Sequence, residues 1–110
     1  MPKYLIEAKY DAEGIKGVLR EGGRARRAVI DDIASNLGGK LEAFYYAFGR
    51  EDVYSILELP DNATAAAMAM HVSASGTTSC KVVVLLTPEE IDASSKTKMW
   101  FRPPGAPDRA

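Results

Sequence analysis

FYYAFGREDVYSILELPD, residues 44–61, joins an aromatic run to an alternating run through a polar turn. Strand-forming residues on both sides of the turn predict two strands, over residues 40–48 and 52–59. The short GRED segment between them fits a hairpin. The rest of the fold is therefore predicted around an antiparallel strand pair near the middle of the chain.

Upstream of the hairpin, the sequence predicts one strand and one long helix. The segment KYLIEAKY, residues 3–10, alternates and is rich in strand formers. Apolar residues recur at helical spacing over residues 14–37. Gly22 and Gly23 fall inside that helix, where each costs about 1 kcal/mol relative to alanine, so we expect a break there.

Downstream of the hairpin, the sequence predicts a second helix and a fourth strand. Asp61 or Asn62 is a good N-cap for the helix, which we expect to end at Gly76. The almost wholly apolar residues 80–87 predict the strand. Pro88, followed by two glutamates, predicts a short helical turn.

The predicted order of these elements is strand, helix, strand, strand, helix, strand. This is the split βαβ pattern, so we expect an α+β, ferredoxin-like βαββαβ fold. Right-handed crossovers place both helices on one face of a four-stranded antiparallel sheet and leave the other face bare. The 110 residues fit one domain, over residues 1–95, with a proline-rich tail over residues 96–110.

Composition limits the classes of function. The formal net charge of -1 argues against a nucleic-acid-binding protein. No apolar run of about 18 residues predicts a membrane span, and the first residues do not resemble a signal peptide. With Cys80 as its one cysteine and His71 as its one histidine, the chain is expected to form neither an internal disulfide nor a zinc site. We expect a cytoplasmic protein without a metal or cofactor.

Strand alternation predicts which side chains lie on the bare face. The expected set is Leu5, Glu7, Lys9, Phe44, Tyr46, Phe48, Tyr54, Ile56 and Glu58. An isolated chain is not expected to expose so many aromatic groups, so we predict a homodimer formed through this face. A ligand site in the remaining space would be lined by Glu7, Lys9, Tyr46, Asp52, Tyr54 and Glu58.

Two carboxylates of this set have alternative interpretations. In the middle of the bare face, Glu58 would be desolvated, its pKa would rise, and it would suit a general acid or base. The other interpretation is an ion pair with Lys9, Lys81 or a lysine of a partner. Asp52 is expected to cap its own turn.

Two further groups are weaker candidates for binding. His71, on the second helix, would act as an acid or base or ligate haem iron, or else it is an ordinary surface histidine. Arg24 and Arg27 follow a glycine break and would bind an anion, or else they belong to a solvated helix face.

The C-terminal tail carries two adjacent aromatic residues, Trp100 and Phe101. Such groups are unfavourable in water, so we expect them to dock on a neighbouring subunit and build a higher oligomer. The alternative is that the proline-rich tail is a recognition peptide for another protein.

Several motifs resemble the GYD-domain family over residues 2–92. They are EGIKGVLREGG with Arg27 after it, LGGKLEAFYYAFG, DVYSILELPDNATAAAMAM and SGTTSCKVVVLLTPEEI. In the motif that names the family, Gly49 and Asp52 match, and Glu51 stands where the tyrosine would be. The resemblance implies a dimeric α/β barrel. That fold also occurs in cofactor-independent monooxygenases, lactone isomerases and haem-degrading proteins, and this likeness implies no activity.

These observations lead to three hypotheses of function. The first is a small homo-oligomeric protein that binds a small ligand or partner at the sheet face. The second is a cofactor-independent isomerase or oxygenase with Glu58 as acid or base. The third is haem binding through His71.

Overall fold

The structure is a computed structural model that describes residues 1–108. Residues 109 and 110, the end of the expected tail, lie outside the described residues. The elements are β1 (Lys3–Tyr10), α1 (Ala12–Glu21), α2 (Gly23–Asn36), β2 (Lys40–Tyr46), β3 (Val53–Glu58), α3 (Asn62–Ala74), β4 (Thr78–Leu85) and α4 (Pro88–Ser95). The helical turn expected at Pro88 is a helix of two turns.

The expected break in the first helix lies at Gly22, which separates α1 from α2. Gly22 has a φ of 85°, a left-handed conformation that glycine adopts without steric strain. Its N–H caps α1 by donating to the carbonyl of Val18. The long helix predicted for this region is therefore two helices joined at one residue.

The four strands form one antiparallel sheet in the order β2-β3-β1-β4, so the α+β class is confirmed. Helices α2 and α3 cover the same face of this sheet. Their buried residues Ala34 and Met68 join Tyr4, Ile6 and Leu57 of the sheet in one apolar core. The opposite surface, here called the open face, is covered by no helix of residues 1–108.

Strand β2 departs from simple alternation at Glu42. Leu41 is paired with Leu57 and Ala43 with Ile56, so Glu42 is an extra residue in the ladder. Such a β-bulge reverses the side on which every later residue of the strand lies.

The reversal corrects the faces predicted for β2. Phe44 and Tyr46 were expected on the bare face, but they lie on the helix-covered side, opposite Ser55 and Val53. Tyr45, 71% exposed, lies on the open face instead.

Three aromatic rings consequently gather beneath the helix break. Tyr46 packs edge-on against Phe44 and stacks on Phe48, with ring centres 5.2 and 5.8 Å apart. Its hydroxyl donates to the carbonyl of Gly23 over 3.0 Å. Tyr46, which was predicted for the dimer surface, therefore attaches α2 to the sheet of its own chain, and Phe44 and Phe48 pack against it.

The C-terminal segment projects away from this domain. Every residue of α4 is exposed, and Met99 and Phe101 are exposed beyond it. The molecule measures 65 × 31 × 22 Å, and its radius of gyration is 18.2 Å. A compact chain of this length would have a radius of gyration of about 13 Å. The projecting segment accounts for the difference.

Backbone atoms pack closely around Gly39, immediately before β2. A β-carbon at Gly39 would overlap the carbonyl oxygen of Glu58, a backbone atom that cannot move aside. We expect Gly39→Ala to lower the free energy of unfolding by about 3 kcal/mol, as measured by urea denaturation. Gly49→Ala is the matched control, because nothing lies within 4 Å of that position, and it should change stability by less than about 0.5 kcal/mol. Equal effects of the two substitutions would contradict this packing.

Candidate functional site

The open face is organised in rows that run across the four strands. An apolar row consists of Ala43, Ile56, Leu5 and Val83, and a polar row beside it consists of Tyr45, Tyr54, Glu7 and Lys81. Beyond the apolar row, Lys40, Glu58 and Lys3 form a charged end row, which Leu85 of β4 completes. The surface is thus an apolar strip between two charged borders.

Glu58 lies in the end row and not, as predicted, in the middle of the face. Its carboxylate oxygens are 3.4 Å from the ammonium groups of both Lys3 and Lys40. Partial burial raises the pKa of Glu58, but the two lysines outweigh it and the net pKa is lowered. The expected raised pKa is therefore wrong, and Glu58 stays ionised as an ion-pair partner.

Asp52 connects strands and does not line the open face. Its buried carboxylate accepts a hydrogen bond of 2.9 Å from the backbone N–H of Tyr10 and lies 3.7 Å from the ammonium group of Lys9. Its backbone N–H donates to Ala8, and its carbonyl accepts from Ala47. The side chain thus binds the end of β1. It does not cap its own turn, so the cap predicted for Asp52 is wrong.

Glu51 is a buried carboxylate that the sequence reasoning did not select as a site residue. It is 5% exposed and accepts a hydrogen bond of 2.8 Å from the ammonium group of Lys81. That hydrogen bond raises the pKa of Lys81, which also lies opposite Glu7 in the sheet. The sequence did give a signal for Glu51, because a glutamate stands where the family motif has a tyrosine.

The six residues expected to form one ligand site are therefore dispersed. Glu7 and Tyr54 are neighbours on the open face, as predicted. Lys9 is engaged with Asp52, while Tyr46 lies on the opposite side of the sheet and Glu58 lies in the end row. The structure does not bring these six side chains together.

The weaker candidates lie elsewhere on the molecule. His71 is exposed on α3, in the helical layer, so the sheet separates it from the open face. Arg24 and Arg27 line a shallow groove of about 490 Å³ between α2 and β2, where Asp31 and Glu42 also lie. The groove thus carries charges of both signs. No group of three or more potential metal ligands occurs within residues 1–108.

A small cavity, here called the slot, lies between the sheet and the helices and has a volume of about 70 Å³. Most of its wall is apolar and comes from both layers, including Ile6, Ile30, Phe44, Met68 and Val72. Its polar groups are Ser55 and Cys80 on the sheet, with Tyr10, Arg26 and Thr78 at one end. Phe44 belongs to this wall only because of the bulge, so the alternation pattern gave no signal for the slot.

The lowered pKa of Glu58 predicts a pH dependence of stability. The native carboxyl holds its proton less tightly than the unfolded one, whose ordinary pKa is 4.5. The ion pairs therefore contribute stability above pH 4.5, and that contribution is lost as pH falls through the lower native pKa. Glu58→Gln should destabilise the protein at pH 7 and have less effect at pH 3, as measured by urea denaturation.

Glu89→Gln serves as the control, because no ion pair of Glu89 is found among the described residues. Its effect should show no comparable loss at low pH. A native Glu58 carboxyl that titrates above 4.5 in a carbon-detected NMR titration would contradict the ion-pair account.

The Glu51–Lys81 pair predicts a non-additive double mutant. Lys81→Met leaves a buried carboxylate without its cation, which should lower the free energy of unfolding by about 1–3 kcal/mol. Adding Glu51→Gln removes the buried charge and should restore part of that loss in the same denaturation assay. Lys98→Met, in the projecting segment, should have little effect. Simple additivity of the two substitutions would contradict the coupling.

Comparison with known proteins gives one match. The family model described as the GYD domain matches residues 4–94, which include every helix and strand except the last residue of α4 and the first residue of β1. No curated protein and no solved structure matches the chain. No helix within residues 1–108 is long and apolar enough to cross a membrane. The match extends over most of the chain, which therefore belongs to the GYD-domain family.

Proposed function

We propose that this protein is a small-ligand-binding homodimer that assembles through its open face. In this proposal the chain has the ferredoxin-like fold, and two open faces pack together as a dimeric α/β barrel. The observation that carries it is the apolar strip of the open face, where Val83 is 41% exposed between two charged borders. The single cysteine favours a reducing compartment, and we place the protein in the cytoplasm.

Charge complementarity supports a second copy of the chain as the occupant of this face. Glu7 and Lys81 are neighbours in the polar row, and Lys3, Lys40 and Glu58 form the end row. Each border carries both signs of charge. A twofold axis that brings the two apolar strips together can therefore place opposite charges opposite each other.

The open face alone is too small for a stable dimer interface, so we propose that the projecting segment takes part in the interface. Four strands spaced about 4.8 Å apart, over about six residues each, cover roughly 400 Å². A stable interface buries about 800 Å² per partner. The open face supplies about half of this area, and we propose that the segment from Pro88 onward, with Trp100 and Phe101, supplies the rest by crossing to a neighbouring subunit.

Binding is favoured over catalysis because three carboxylates in or beside the open face are engaged in ion pairs, while the fourth, Glu7, lies opposite Lys81 in the sheet. Glu58 is held ionised by two lysines, and Asp52 and Glu51 are buried against Lys9 and Lys81. A general acid or base instead needs a pKa near the working pH. These groups are better explained as contributions to fold and assembly.

Two consecutive residues of β4 provide a matched test of the dimer. Val83 lies on the open face and Val84, 50% exposed, lies on the other side of the same strand. Val83→Glu would place an unpaired charge in the apolar strip. We expect it to halve the native mass from twice the 11.9 kDa chain to a single chain, as measured by sedimentation velocity at micromolar concentration.

Val84→Glu should leave the dimer intact, because that side chain does not contact the proposed interface. A wild-type protein that sediments as a monomer would contradict assembly through the open face. The same conclusion would follow if both variants dissociated equally, or if only Val84→Glu dissociated.

A further inference from the structure

We propose that the slot between the sheet and the helices binds a short carboxylate that carries a second oxygen, as a carbonyl, about five atoms from its anionic end. This rests on the ligand-binding half of the proposed function and names the ligand class. The slot is formed within one chain, so it does not depend on the dimer.

Ser55 provides the first argument. It is 3% exposed, lies in the middle of β3 and lines the slot. Its hydroxyl makes no hydrogen bond to another side chain or backbone group in the described part of the chain. No side-chain oxygen or nitrogen in the described part of the chain is both fully enclosed and unpartnered, so the Ser55 hydroxyl is open to the slot, where an acceptor oxygen of a ligand would receive its hydrogen bond.

The open end of the slot provides the second argument. Tyr10, Arg26 and Thr78 line both the slot and an outer depression beneath α1, so they mark the mouth that connects the two. The only carboxylate paired with Arg26 in the described chain is that of Glu21, at 3.7 Å. This long pair is weak, and the guanidinium also forms a hydrogen bond with the Tyr10 side chain, so a ligand carboxylate would bind Arg26 beside Tyr10 at the mouth.

A second arginine adds positive charge to the outer depression. Arg20 lines it, and no ion pair of Arg20 is found within residues 1–108. Glu13 and Glu21 line the same depression. Each has one basic partner, Lys16 at 3.2 Å and Arg26 at 3.7 Å, so Arg20 is the basic group in excess. The mouth therefore favours the anionic end of a ligand.

Spacing and volume set the length of the ligand. Ser55 is paired with Ile6, which is four residues, or roughly 14 Å, along β1 from Tyr10 at the mouth. The arginine and serine side chains span part of that distance. At about 10–15 Å³ for each water-sized position, a slot of about 70 Å³ holds about five to seven non-hydrogen atoms. The apolar walls require that these atoms, apart from the carbonyl oxygen, be hydrocarbon.

The test compares two ligands of similar size, 5-oxohexanoate and hexanoate, by NMR titration of the full-length protein. Both place a carboxylate at Arg26, but only the first carries an acceptor for Ser55. We expect 5-oxohexanoate to bind about tenfold more tightly, with shifts concentrated on residues that line the slot. Ser55→Ala should bring the two affinities to within about twofold, which a merely structural role of Ser55 would not do.

Arg26→Gln should weaken both ligands by about tenfold or more and leave their ratio unchanged. Arg24→Gln, on the same helix but lining the surface groove, should change neither. The proposal is overturned if neither ligand binds, if both bind equally to the wild type, if Ser55→Ala keeps the preference, or if shifts cluster at Arg24. If the protein is a monomer and binds in the slot, the proposed dimer is wrong and the proposed slot ligand is retained. If the protein is a dimer and binds neither ligand, the slot ligand is wrong and the dimer is retained.

Discussion

The bulge at Glu42 is the constraint on which the two sides of the sheet depend. One extra residue in β2 turns Phe44 and Tyr46 toward the helices and Tyr45 toward the open face. The inward rings then provide the contact with Gly23 at the start of α2 and part of the wall of the slot. Without the bulge, the open face would gain those rings and the helix break would lose its support.

Carboxylate side chains link the strands to one another. Asp52 binds the end of β1 through the N–H of Tyr10 and also closes the β2–β3 hairpin through Ala47. Glu58 is balanced by lysines of the two neighbouring strands, and Glu51, which precedes β3, is balanced by Lys81 of β4. These carboxylates, of which Asp52 and Glu58 were predicted site residues, therefore link the strands, which leaves the apolar strip and the slot as the surfaces available for binding.

The sequence could predict those features that depend on local chemistry. Glycine marked the helix break at Gly22, and Asp61 caps α3 by accepting from the N–H of Thr64, as its position before the helix indicated. The bulge was not predictable, because Glu42 is an ordinary exposed strand residue and strict alternation was assumed across it. The partners of Glu58 depend on strand register, so Lys3 and Lys40 could not be chosen over Lys9 and Lys81. The slot depends on both the bulge and the strand register, so the sequence did not indicate it either.

The central claim is that a second copy of the chain covers the open face, and isotope-filtered NMR on a mixed dimer tests it most directly. One half of the sample carries ¹³C-labelled methyl groups and the other half is unlabelled. The account predicts intermolecular NOEs from the methyl groups of Leu5, Ile56 and Val83 to protons of the partner. The absence of such NOEs from these methyl groups, or intermolecular NOEs confined to α2 and α3, would contradict it.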